Sequence, residues 1–147
     1  MSCKFDIRRA GPRDLEPGIE LLAAAGLPTA DLTIERLALV ASADDKMVGL
    51  IGLETFDSLG LLRSLVVSPE YRRTGLGDQL VAALEAHARA LAITELWLLT
   101  IDADAYFERL GYERRKRSLA PADIAASDEF SSLCPDDAVL MSKPLST

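Results

Sequence analysis

The stretch Arg72-Arg73-Thr74-Gly75-Leu76-Gly77-Asp78 carries the clearest chemistry in the chain. It follows a strand-like apolar run, residues 61–67, and a Ser68-Pro69 turn, and it precedes a long amphipathic helical pattern. The first N–H groups of a helix have no acceptor inside the helix and sit at the positive end of its dipole. Glycines at such a turn let the backbone approach a phosphate without a Cβ in the way. Arg72 and Arg73 add full positive charge on the approach. A dinucleotide-binding turn requires G-x-G-x-x-G, and only Gly75 and Gly77 are present. A P-loop requires a lysine after its second glycine, and none follows. The pattern that fits is Arg72-x-x-Gly75-x-Gly77. The plain alternative is an ordinary strand-to-helix turn with incidental basic residues.

Composition bounds what such a turn serves. The 147 residues suffice for one domain with a real core, and 49% hydrophobic with 27% charged residues is a globular balance. The net charge of −7 argues against nucleic acid as a partner, because phosphate backbones require a basic surface. It suits a small cationic or neutral substrate. No apolar run reaches the ~18 residues of a membrane span, and the charged start MSCKFDIRRAG lacks the apolar core of a signal peptide. A reduced cytoplasm and no membrane association are the expectation. Cys3 and Cys134 are far apart and His87 is the single histidine, so no metal site is expected.

The elements that must position the turn read as follows. Alternation predicts a strand over 5–9, broken by Gly11-Pro12. Asp14 is a candidate cap for a helix over 15–25, starting near Pro17, with Ile19, Leu21 and Leu22 on its apolar face. Apolar runs at 37–43 and 47–56 flank Asp44-Asp45 and predict a hairpin. Residues 57–60 turn into the strand 61–67. The helix after Gly77 buries Leu76, Leu80, Val81, Leu84, Ala88 and Leu91, with Gln79, Glu85 and Arg89 elsewhere and His87 exposed or partly buried. Residues 95–100 form a buried strand, parallel to 61–67 because a helix intervenes. A short helix over 103–110 closes at Gly111, and Tyr112 begins another strand. The tail predicts helical turns at 121–126 and 128–133 and a last strand over 138–143.

With its strand before and helix after, Arg72-x-x-Gly75-x-Gly77 resembles the pyrophosphate motif of the GNAT N-acetyltransferases. Ala103-x-x-Tyr106-Phe107-Glu108-Arg109-Leu110-Gly111-Tyr112 resembles a second signature of that family at the family's spacing. The resemblance covers about residues 5–117. It implies a single domain, 1–147, of α/β class: a mixed sheet of about six to seven strands with helices on both faces. It implies acetyl-CoA as co-substrate and a primary amine as acceptor. It implies that Arg72, Arg73, Thr74, Gly75, Leu76, Gly77 and Asp78 bind the cofactor's phosphates, with the Asp78 carboxylate turned away. The main chain of Leu65, Val66 and Val67 would bind the pantetheine arm where the strand splays at a bulge. It is compatible with a homodimer.

The catalytic assignments follow from the same resemblance. Glu54 stands where several such enzymes carry a glutamate, and a carboxylate there could take the acceptor's proton directly or through water. A solvent-facing strand carboxylate is an equal reading. Arg63 and Ser64 lie on the adjacent strand, and alternation turns one of them to the pocket. A guanidinium there would bind an acceptor carboxylate; the plainer reading of Arg63 is an exposed cross-strand partner of an acid. Residues 27–35 read as an acceptor-pocket flank or as a surface loop. The family's usual tyrosine, which protonates the leaving thiolate, would stand at 107, where this chain has Phe107. Tyr106, about 100° round the helix, is the candidate acid. The LLT…A…F…LGY pattern resembles acetyltransferases of the glutamate α-amine. Pro121-x-x-Ile124, Glu129-Phe130-x-x-Leu133-Cys134-Pro135 and Met141-x-Lys143-x-Leu145 resemble a subgroup associated with arsenic resistance. Cys134 reads as a buried structural thiol. The competing functions are a non-catalytic acyl-CoA sensor, which Phe107 favours, and a protein N-terminal acetyltransferase.

Overall fold

The computed structural model describes residues 5–27, 29, 32–127 and 138–145. Its elements are β1 (Asp6–Arg9), α1 (Leu15–Ala24), β2 (Leu37–Ala43), β3 (Lys46–Phe56), β4 (Leu59–Val67), α2 (Leu76–Ala90), β5 (Glu95–Thr100), α3 (Asp104–Arg109), β6 (Glu113–Arg115), α4 (Ala122–Ala125) and β7 (Val139–Pro144). The seven strands form one sheet in the order β1-β2-β3-β4-β5-β7-β6. β1 with β2, β2 with β3, β5 with β7 and β6 with β7 pair antiparallel. β4 pairs parallel with β5 through Leu59↔Glu95, Gly60↔Leu96 and Leu61↔Trp97. The mixed sheet and the parallel step after a crossover helix are those expected.

The chain divides into two compact units, 1–54 with 63–87, and 55–62 with 88–147. In the first, the hairpin is set by Asp44 and Asp45, with φ of 51° and 62°, between the paired Ala43 and Lys46. Two consecutive positive φ values make the two-residue turn whose twist matches its strands, and Asp tolerates them. Glycines then let helices close on both faces of β3. A Cβ at Gly49 would lie 3.1 Å from Leu80 and 3.2 Å from Leu76 of α2. A Cβ at Gly18 of α1 would lie 3.2 Å from Leu50. Gly49 and Leu50 are neighbours on one strand, so they face opposite sides. Leu22, Leu32, Leu37, Val40, Leu50 and Val66 form the core on the α1 side. In the second unit the core is Leu61, Trp97, Ile124 and Leu140, with Phe56, Leu99 and Ala120 against it.

Several local expectations are corrected. α1 starts at Leu15, ahead of Pro17, after a single tight turn over Pro12–Asp14. The Asp14 carboxylate does not cap α1. It reaches back to accept the Gly11 N–H at 2.7 Å and both Arg8 Nη groups at 2.9 Å, because the turn offers a backbone donor and β1 a guanidinium on that side. β4 starts at Leu59, since Asp57 takes a positive φ of 56° and completes the turn in two residues. On α2 the apolar stripe is buried from Leu76 to Ala88, yet Leu91 lies exposed beyond the helix end and Glu85 is buried. His87 is half-buried, as expected. The predicted turn at 121–126 is α4; the one at 128–133, with Cys3 and Cys134, lies outside the described residues.

Candidate active site

The turn before α2 is built from β4 onward. The Ser68 N–H donates to Val48 C=O at 2.8 Å and ties the end of β4 to β3. A tight turn over Pro69–Tyr71 follows, and Thr74 Oγ1 donates back to Tyr71 C=O at 2.5 Å. Arg73 and Gly75 take φ of 65° and 87°. A left-handed conformation costs a non-glycine residue ~1–2 kcal/mol, so the Arg73 backbone is strained. Nothing in the sequence signals that strain. At Gly75 a Cβ would meet no atom within 4 Å, so the turn is open on that side. The Gln79 N–H donates to Gly75 C=O at 3.0 Å, one helical step back. The N–H groups of residues 75–78 therefore lie ahead of the first such bond, at the positive end of a 15-residue helix. Arg72, Arg73 and Asp78 are exposed, and Thr74 and Gly77 are half-buried. Backbone donors at a helix N-terminus, with two exposed arginines in the same turn, are the chemistry that suits a phosphate.

Within β4, Ser64 has a φ of 59°, an irregularity in the middle of the strand. Strict alternation therefore fails where the Arg63/Ser64 reading relied on it. Arg63 is buried, with its side chain 3% exposed, and Ser64 is half-buried, with its Oγ 3.5 Å from Arg63 Nε. The exposed reading of Arg63 is thus corrected: its stem runs over β3 at Gly52, where the missing side chain leaves room. A Cβ at Gly52 would stand 3.1 Å from Arg63 Cγ and 2.7 Å from Arg36 C=O. Beyond the irregularity Val66 turns into the core, and Leu65 and Val67 are half-buried.

Arg63 Nη1 donates to Glu54 Oε1. Arg36 Nε lies 3.6 Å from the same oxygen. Glu54 is 10% exposed and Arg36 26% exposed. The equal alternative for Glu54, a carboxylate facing solvent, is corrected: it sits between two guanidinium groups and is mostly covered. Arg36 was not among the sequence candidates. It stands just before β2, and its place beside Glu54 follows from the register Leu37↔Gly52 and from the Leu53 N–H bond to Arg36 C=O at 2.8 Å. No local pattern carries that cross-strand information.

In the second unit, Thr100 Oγ1 accepts the Ala103 N–H at 3.0 Å and shapes the entry to α3. Phe107 is buried and meets Tyr112 edge-on at 5.6 Å. Tyr106 is half-buried, edge-on to Phe107 at 5.1 Å, with the Arg109 guanidinium 5.6 Å from its ring centre. The residue at 107 is thus a core side chain, and the phenol is the neighbour on another face. Among the described residues no group of three His, Cys, Asp or Glu side chains could hold a metal ion, and no helix is long and apolar enough to cross a membrane.

A glycine turn between an irregular strand and a long helix, in a mixed sheet of this order, is the arrangement of an acyl-CoA-type transferase fold. The family model described as the acetyltransferase (GNAT) family matches residues 15–112, and the chain belongs to that family. An amino-acid acetyltransferase of Pseudomonas syringae pv. tomato is 44% identical over 71 residues, 48% of this chain and 16% of that protein. The chain thus spans about a sixth of the length of the curated relatives it matches. Among solved structures, N-acetylglutamate synthase of Neisseria gonorrhoeae, complexed with coenzyme A and N-acetyl-glutamate, superposes with a TM-score of 0.81 at 19% identity. The match covers 100% of this chain and 36% of that one. The Rv2747 protein of Mycobacterium tuberculosis, in complex with CoA, gives 0.79 at 23% identity, over 96% of this chain and 99% of that one. At these identities the two are likenesses of fold.

Proposed function

We propose that this chain is an N-acetyltransferase that moves an acetyl group from acetyl-CoA to the primary amine of a small amino-acid-like acceptor. The carrying observation is the turn 72–78: an open glycine at positive φ directly before a helix N-terminus, with two exposed arginines. Family membership and the amino-acid acetyltransferase relatives support the acceptor class. In the proposed reaction the amine nitrogen attacks the thioester carbon, its N–C bond forms, and the C–S bond breaks. The amine's surplus proton passes to Glu54, directly or through water, and the CoA thiolate takes a proton from Tyr106 or from water, giving an N-acetyl product and CoA. The main chain of Leu65–Val67 holds the pantetheine arm, and one of its N–H groups polarises the thioester carbonyl. The single-domain, cytoplasmic enzyme of the arsenic-resistance subgroup is the finer form of the proposal, with toxic amino-acid analogues as acceptors.

Thiol release from acetyl-CoA across a panel of amino acids and arsenical or phosphinic amino-acid analogues tests it. Saturable release with a single acceptor class is the expected result. Tight acetyl-CoA binding with no release for any amine would overturn it in favour of a second reading, a non-catalytic acyl-CoA sensor. Burial of Phe107 at the family's tyrosine position is the observation that favours that second reading.

A further inference from the structure

The turn ahead of α2 contains one strained residue and one side chain placed to hold it. Arg72 is extended, with φ of −68° and ψ of 145°. Arg73 then takes a φ of 65° and Gly75 a φ of 87°, whereas Thr74 between them keeps a negative φ. Successive residues that reverse hand turn consecutive N–H groups toward one side, and such concavities bind anions. Gly75 adopts its conformation freely, since glycine visits positive φ as readily as negative. Arg73 does not. Only a few per cent of non-glycine residues take a positive φ, and arginine lacks the short polar side chain that makes Asn and Asp tolerant. Its side chain is exposed, so no burial of that side chain offsets the strain.

Thr74 spans this residue. Its Oγ1 donates to the Tyr71 C=O at 2.5 Å and closes a loop that contains both arginines. The start of the loop is fixed to the sheet. The Tyr71 N–H donates to Ser68 C=O at 2.9 Å, and the Ser68 N–H donates to Val48 C=O of β3 at 2.8 Å. The end of the loop is fixed to α2, where Leu76 is fully buried and the Gly75 C=O accepts the Gln79 N–H at 3.0 Å. A hydroxyl has one proton to give, and here it goes to the Tyr71 carbonyl. We infer that Thr74 is a positioning residue for the cofactor's phosphates. It acts through the Arg73 backbone, which its clasp holds left-handed before the ligand arrives, and not by touching the ligand. The inference rests on the acetyl-CoA site that the proposed function places at this turn, and it is independent of the acceptor.

The test is calorimetric titration of coenzyme A into wild type, Thr74→Val, Thr74→Ser, Arg73→Gly and the double variant of Arg73→Gly with Thr74→Val, each checked for folding by circular dichroism. Valine keeps the branched shape and drops the hydroxyl. Thr74→Val should weaken binding about three- to tenfold, because apparent affinity falls with the fraction of molecules already in the competent conformation. Thr74→Ser keeps the donor and restores most of the affinity. With glycine at 73, about half of the molecules hold a positive φ unaided, so Thr74→Val costs less than about twofold in that background. An equal loss in both backgrounds overturns the inference, because a hydroxyl that touches the phosphates matters whatever stands at 73. An unchanged affinity in Thr74→Val overturns it too. If Thr74→Val does not fold, Thr74→Ala is carried through the same two backgrounds and read by the same criteria. A wild type that does not bind coenzyme A overturns the proposed function together with this inference. Binding with the expected pattern but no turnover of any amine sinks the transferase reading alone.

Discussion

Gly52 is where the structure makes its sharpest quantitative demand. In Gly52→Ala the new methyl stands 2.7 Å from Arg36 C=O, 3.1 Å from Arg63 C=O and 3.1 Å from Arg63 Cγ. Two of these three are backbone atoms, and the Arg36 carbonyl is already held by the Leu53 N–H at 2.8 Å. A C···O contact settles at about 3.3 Å or more, so the two strands must separate by roughly half an ångström. Overpacking of that kind costs ~1–3 kcal/mol. Replacing glycine at an ordinary φ stabilises by ~0.4–1 kcal/mol through the unfolded chain. The clash therefore wins by about 1–2 kcal/mol, which lowers Tm by roughly 3–8 °C for a domain of this size. Gly18→Ala is the internal control. Its methyl meets only side-chain ends, Leu50 Cδ2 at 3.2 Å and Leu37 Cδ2 at 3.5 Å, which can turn aside. It also gains ~1 kcal/mol of helix propensity. Thermal unfolding by circular dichroism should place Gly18→Ala at or above wild type and Gly52→Ala clearly below it. The reversed order, or a Gly52→Ala protein that melts with wild type, would refute the close approach of the strands at this point.

Other substitutions separate the roles assigned above. Arg72→Ala should weaken acetyl-CoA binding roughly 3- to 10-fold, with a loss that shrinks in high salt, as measured by calorimetry at two ionic strengths. Tyr106→Phe keeps the ring contacts with Phe107 and Arg109 and removes only the hydroxyl. If Tyr106 is the acid, kcat falls about tenfold or more while both KM values hold; an unchanged kcat assigns thiolate protonation to water. The Arg8 guanidinium bound to it, aided by the Gly11 N–H, holds the Asp14 carboxyl below the usual carboxylate range, with burial opposing. A lowered folded-state value gives stability that is full above about pH 4 and is lost as pH falls through that value. Asp14→Asn should therefore cost ~1 kcal/mol at neutral pH, a figure kept small because Arg8 is half exposed. The deficit should vanish in acid, as denaturant melts at successive pH values would show. Burial, with Arg9 nearby, lowers His87 below its ordinary value. His87→Gln should then flatten the part of the stability curve that declines as pH drops below about 6.5.

What could be read from the chain, and what could not, divides by the range of the interaction that decides it. The hairpin turn at Asp44-Asp45, the glycine turn before α2 and the buried stripe of α2 depend on neighbours one to four residues apart. Those neighbours are visible in the sequence, and the elements formed where the pattern placed them, except that the stripe of α2 ends before Leu91 and takes in Glu85. The Asp14 carboxylate depends on whether a donor at Gly11 precedes the helix, which a cap pattern alone does not specify. The acid–base cluster depends on still longer range. Glu54, Arg63 and Arg36 come from three segments, and only the register Leu37↔Gly52, with the absent side chain at Gly52, brings them together. An irregularity at Ser64 then defeats the alternation that would have sorted Arg63 from its neighbour. The Leu37↔Gly52 pairing and the Leu53 N–H bond to Arg36 C=O fix the backbones of Arg36 and Glu54 against each other, so the separation of this cation and this anion is set by the sheet and not by either segment alone.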